Sequence, residues 1–254
     1  MTNNDNTLNE SDLRQIDETI PEAVQDEMQP QELAKATDTV KRPVIYYPAK
    51  VLNKRCKTVD NPTDPSIMQL IMDLKETMIV GGGLGISAPQ VGDTIRLFIT
   101  RLDPMKSDDS LDQDVKVYIN PTVTLTGKNK MKSERCLSFP GILIKTKRST
   151  RVTVTATDAY GIEFTAELEG LEAHVVQHEA NHLDGITLYT RMDDTQKIKA
   201  RKGLKLLNQL SRYHAKATER ARTADAEETA DPEAAGSTQV INEVAAVVDL
   251  VDLY

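Results

Sequence analysis

Apolar residues recur along this chain with two periods, and the switches between them mark its elements. Asp64 followed by Pro65 reads as an N-cap and first helical residue. Behind them "SIMQLIMDLKETMIV" carries Leu70, Ile71, Leu74 and Met78 as one stripe, the spacing of a helix with a buried face. The glycines of "GGGLG" end that helix. Short strand-like runs follow at residues 95–100, 115–120 and 151–158; the last alternates apolar and polar cleanly, and "AYG" turns it into "IEFTAELE" as a hairpin. "LEAHVVQHEANHL", residues 171–183, breaks the alternation, and Leu171, Val175, Val176 and Leu183 fit a buried helix. Residues 195–216 read as a further helix that packs through Ile198, Leu204, Leu207 and Leu210, although Gly203 weakens it. This order predicts an α+β fold, mostly antiparallel strands around a central helix.

Charge then divides the chain. Residues 1–40 hold about ten acids against two bases, 41–194 are about balanced, 195–222 hold about nine bases and one acid, and 223–254 hold about eight acids and no base. The formal charge of −8 therefore belongs to the ends. The expected organisation is an acidic, disordered leader (1–40), a catalytic domain (41–194), a basic C-terminal helix (195–222) and an acidic tail (223–254). "RLDPMKSDDSLDQD" reads as a surface loop. The last segment, "VINEVAAVVDLVDLY", is amphipathic through Ile241, Val244, Val248 and Val251, but too short and too charged to span a bilayer. Two cysteines are too few for a disulfide framework, and the first residues lack the features of a signal or transit peptide. A cytoplasmic protein with no membrane partner is expected.

Chemistry concentrates in "VVQHEANHLDG", residues 175–185. On a helix, His178 and His182 lie one turn apart on the same face and can share a cation. Glu179, rotated about 100° from His178, can reach water at such a cation without ligating it. This is the H-E-x-x-H pattern, which needs a third ligand to carry weight. Cys136 in "SERCLSFPG" is, taken alone, as well read as a small core residue. "GGGLGISAPQVG" lacks the Lys-Ser/Thr of a P-loop and follows no strand, so it is a poor nucleotide loop.

Taken together, the three stretches resemble the peptide deformylase family in order and approximate spacing. "GLGISAPQVG", "ERCLSFPG" and "QHEANHLDG" are similar to its three motifs, and the similarity runs from about Val44 to Met192. The resemblance implies that Cys136, His178 and His182 hold one divalent metal ion and leave a fourth position for water or hydroxide. Fe(II) is the ion the family favours, and the same ligands would also suit Zn, Ni or Co. It implies hydrolysis of the N-formyl group of N-formylmethionyl peptides through metal-bound hydroxide, with Glu179 as general base and acid. The Gln90 amide and the backbone N–H of Leu137 would stabilise the oxyanion. Gly83 and Gly85 would let the substrate approach as an added strand, and Leu84, Val175 and a rim residue, His174, would shape the methionine pocket. Glu134 and Arg135 complete the expected substrate-binding set.

Three positions depart from the family pattern. Arg135 replaces a glycine, placing a cation beside the cleft or simply snorkelling to solvent. Asn181 replaces an aspartate, with Arg148 as the implied partner. Ser87 replaces an alanine, a near-isosteric change expected to be tolerated. Cys56 reads as core and Tyr160 as surface. The helix within 195–222 would suit ribosomal RNA phosphates, since deformylases act on chains leaving the ribosome; a solvated face is the plainer reading. Competing functions are a catalytically degenerate relative that only binds metal or ribosome, and an H-E-x-x-H metallopeptidase.

Overall fold

The computed structural model describes residues 41–101 and 115–228; the leader, the 102–114 stretch and the acidic tail lie outside the described residues. Helix α1 spans Pro65–Val80, and the Asp64 side chain accepts from the Ser66 N–H as the sequence predicts. Strands β1 (Gly85–Ser87), β2 (Leu97–Arg101), β3 (Val115–Leu125), β6 (Arg151–Thr157) and β7 (Glu163–Glu169) form one antiparallel sheet in that order. Strands β4 (Asn129–Glu134) and β5 (Ile144–Ser149) form a separate two-stranded sheet. Helix α2 spans Gly170–Leu183, a short α3 spans Leu188–Arg191, and α4 spans Asp194–Glu228. This is the expected α+β architecture, mostly antiparallel.

The fold buries α2 on two sides. Ala173, Val176 and Leu183 pack into the main sheet with Cys56, Phe98, Tyr118, Val152 and Val154. Phe98 and Tyr118 are register partners on β2 and β3, and their rings stack at 4.6 Å. On the other side, the Gln177 amide bridges Ser149: Nε2 donates to its carbonyl at 2.9 Å and Oε1 accepts from its N–H at 3.0 Å. Those two bonds pin the centre of α2 to the end of β5, and so fix how the two sheets meet.

Several elements differ from the sequence reading. The run at 115–120 continues to Leu125 through a bulge, where Asn120 takes φ +52° before Pro121. The Asn120 side-chain amide bonds the Val59 N–H and C=O at 2.8 and 2.9 Å, tying the bulge to the segment before α1. Strands β1, β4 and β5 were not expected. Leu171 and Ile198, read as buried, are 52% and 73% exposed, because each helix turns a different face inward than simple spacing suggested. Helix α4 packs through Leu204 and Leu207 and runs well past residue 216. Gly203 faces Ile142 of the turn before β5, and a Cβ there would make only an ordinary 3.4 Å contact, so the close approach does not require glycine. Cys56 is buried and Tyr160 exposed, as read.

Candidate metal centre

Cys136 lies two residues past the end of β4, and its sulfur meets the polar side of α2. Sγ lies 3.3 Å from His182 Nε2, and ligand atoms of Cys136, His178 and His182 all fall within 4.8 Å of one another. A separation of 3.3 Å is close to the edge of a tetrahedron with metal–ligand bonds of about 2.0–2.3 Å. All three residues are buried, and among the described residues the cluster has three members, short of a closed four-ligand structural site. His182 Nδ1 is buried without a hydrogen-bond partner, and His178 Nδ1 is engaged with Glu134. The donor set fits a divalent cation of borderline softness.

Glu134, expected among the substrate-binding groups, is instead buried, and both of its oxygens are engaged. Arg148 reaches it through Nε and through Nη2 at 2.9 Å, Thr146 donates its hydroxyl, and His178 Nδ1 lies 3.2 Å from Oε2. Burial alone would raise the Glu134 pKa, but hydrogen bonds from Arg148, His174 and His178 hold it far below the carboxylate range. An ionised carboxylate in this position fixes the tautomer and orientation of His178. His174, expected at the pocket rim, directs Nε2 to Glu134 Oε1 at 2.9 Å. Through that nitrogen the ring supports the carboxylate. Arg148 also donates to Asn181 Oδ1 at 2.6 Å, so this asparagine keeps the partner expected for an aspartate.

Burial opposes charge on His178, yet the Cys136 sulfur and the Glu134 carboxylate outweigh it and raise its pKa to about 10. Burial also presses His182 well below its ordinary value. Cation binding at this cluster must therefore displace a proton from His178.

The other motif residues surround the cluster. Gln90 Oε1 accepts from the Ser87 N–H at 3.0 Å and from Ser87 Oγ at 2.9 Å. That anchor turns Nε2 toward Cys136 Sγ (3.5 Å) and Ser138 Oγ (3.3 Å). Ser87 is thus more than a tolerated replacement. The Ser87–Gln90 pair is a capping box on the short turn of 3₁₀-helix at Ala88–Val91, and the S-x-x-Q spacing that announces it is legible in the sequence. Glu179 is buried, with Oε2 lacking a hydrogen-bond partner, and burial raises its pKa to about 7. Gly85 exists to admit it: a Cβ there would lie 2.7 Å from Glu179 Oε1. Leu137 packs beside Gly81 and Gly83, Val175 is buried, and Arg135 is exposed between two buried neighbours.

The sequence profile of the polypeptide deformylase family matches residues 41–198. The chain belongs to the peptide deformylase family. A peptide deformylase of Thermodesulfovibrio yellowstonii is 36% identical over 159 residues, which cover 63% of this chain and 93% of that protein. One from Chlorobaculum parvum is 34% identical over 168 residues, covering 66% and 88%. Among solved structures, a peptide deformylase of Legionella pneumophila superposes with a TM-score of 0.61 at 31% identity, covering 67% of this chain and 97% of that one. A plant peptide deformylase gives 0.62 at 29% identity, covering 71% and 95%. Peptide deformylases are metal-dependent hydrolases of protein biosynthesis, and the buried Cys/His/His cluster lies within the matched region. No helix among the described residues is long and apolar enough to cross a membrane.

Proposed function

We propose that this peptide deformylase removes the formyl group from N-formylmethionyl peptides, releasing formate. The observation that carries the reading is the buried Cys136/His178/His182 donor cluster with the Gln90 amide N–H beside it. Glu179, next to His178 on α2, adds a buried oxygen without a hydrogen-bond partner. Cys136, His178 and His182 would hold a divalent ion, with Fe(II) favoured over Zn, Ni or Co by the resemblance. When bound, the ion supplies positive charge to polarise the formyl carbonyl and to acidify water.

The remaining work falls to side chains. Gln90, braced by Ser87, donates Nε2–H to the oxygen on which negative charge develops, and the Leu137 N–H adds a second donor. Glu179, with a pKa near 7, accepts a proton as water attacks and returns it to the leaving amine. The formyl-methionyl backbone pairs with the outer edge of β1, which has a sheet neighbour on one side only. Leu84 and Val175 line the side-chain pocket, and Arg135 stands at its margin. A cytoplasmic setting goes with this reading, as does docking of the basic helix α4 to ribosomal RNA.

Anaerobic purification with metal analysis, followed by formate release from formyl-Met-Ala-Ser, tests the proposal. Stoichiometric iron and formate without cleavage of internal peptide bonds are expected. Cleaved peptide bonds would point to a metallopeptidase, and metal without turnover to a degenerate relative.

A further inference from the structure

The Cys136/His178/His182 cluster opens to solvent on one side. Cys136 and His178 each keep 9% of their surface exposed, whereas His182 keeps 1%. Around them Ser87, Gln90, Glu134, Ser138 and Gln177 are all buried. Arg135 and Leu137, on either side of Cys136, do meet solvent, as does the turn over 81–84 that leads into β1. A Cβ on Gly81 or Gly83 would meet Leu137 at 3.0 or 3.1 Å. The segment that leaves the β4–β5 ribbon at Arg135 and the glycine turn before β1 are therefore the two lips of the opening.

Arg135 is the charged member of these lips, since Gly82, Gly83, Leu84 and Leu137 carry none. It is exposed, and among the described residues it forms no ion pair. Glu134, its neighbour in the chain, is not free to pair with it, because Arg148, Thr146, His174 and His178 engage both carboxylate oxygens. A guanidinium stays protonated and presents a planar fork that fits a carboxylate. Chain geometry says which part of a substrate it meets. With the formyl group at the cluster, methionine is the first residue, and each later one lies roughly 3.4 Å farther out along an extended peptide. An arginine side chain spans about two such steps, so a guanidinium rooted beside Cys136 reaches the second and third residues.

We propose that Arg135 is a specificity-determining residue that favours formyl-methionyl peptides with aspartate or glutamate at the second or third position. The inference rests on the deformylase reading above and names a substrate class within it. A carboxylate at those positions gives the unpaired cation a partner, and a lysine there is repelled. Because the contact lies away from the formyl carbon, it forms equally in the ground and transition states, and the preference falls on KM rather than kcat.

The test measures formate release by the metal-loaded full-length protein from formyl-Met-Glu-Ala-Ser, formyl-Met-Ala-Glu-Ser and their Gln and Lys counterparts. At least one Glu peptide should exceed its Gln counterpart about two- to five-fold in kcat/KM, the size of an exposed ion pair, with the Lys peptide below both. Raising KCl from about 50 to about 500 mM should shrink that ratio toward unity. Arg135→Gly should abolish the ratio and Arg135→Lys should keep part of it; a ratio taken within one protein is unaffected by any general loss of activity. Formate released equally from Glu and Gln peptides overturns the role of Arg135 and leaves the deformylase reading standing. A preference that survives in Arg135→Gly belongs to another residue and overturns the proposal as well. No formate from any peptide sinks the deformylase reading, and this inference with it.

Discussion

Strands β2, β3 and β6 of the main sheet turn Phe98, Tyr118, Val152 and Val154 inward, whereas β4 and β5 turn Glu134, Thr146 and Arg148 inward. Both sheets obey the same period-two alternation, and helix α2 lies against both. In the main sheet, burial removes apolar surface from water and supplies stability in proportion to area. In the ribbon, burial desolvates a carboxylate and a guanidinium, and their mutual attraction does little more than offset that cost. What the ribbon gains is orientation: a charged Glu134 held rigid against His178. One helix thus takes its stability from one sheet and its chemistry from the other.

The most severe way to sharpen this contrast is to remove the group that should act only in the reaction. Glu179→Gln should cut formate release by about a hundred- to ten-thousand-fold while metal content and unfolding midpoint stay near those of the parent. Gly85→Ala comes next. The added methyl would force Glu179 to shift, and displacement of a catalytic group by about 1 Å can cost on the order of a hundredfold in kcat. Its metal content should match the parent's, so a metal-depleted Gly85→Ala protein would mean the clash spreads to the ligands.

Paired substitutions then set the two sheets against each other. Glu134→Gln should weaken metal retention by about 10- to 100-fold in chelator competition. Phe98→Ala should lower the unfolding free energy by about 3–5 kcal/mol yet leave the folded protein's metal affinity unchanged. Reversal of either result would dissolve the division of labour. Proton linkage gives a milder effect. With its pKa raised to about 10, His178 should give up a proton when a cation binds, so at least one proton is expected to leave the cluster. Apparent metal affinity should then rise about tenfold per pH unit between roughly pH 6 and 8. A flat profile would mean that neither His178 nor the Cys136 thiol gives up a proton on binding. Ser87→Ala, which deletes one brace on Gln90 worth about 1 kcal/mol, should slow turnover only several-fold. A loss as large as that of Glu179→Gln would make Ser87 a participant rather than a support.

Much of the site was legible along the chain because each motif is local. His178, Glu179 and His182 fall within one turn of helix, and Gln90 and Cys136 sit in short runs of recognisable type. Less legible was the work of Glu134, which shares no local pattern with Arg148, His174 or Thr146. Those groups meet only when β4 pairs with β5 and α2 crosses both. The ribbon itself escaped notice because its alternation is polar on both sides, so a search for apolar periodicity passes over it. Bulge residue Asn120 was hidden for a similar reason: its partner, Val59, lies far back in the chain.

By itself the sequence determined the two main helices and the longer apolar strands, and it put His178 and His182 on one face, since helical spacing does so whatever surrounds them. Only the tertiary structure decided which carboxylate stays charged and which sits near neutrality. Glu134 is surrounded by donors from two elements, β5 and α2, and Glu179 by almost none, and a pKa follows desolvation and nearby charge rather than position in the chain.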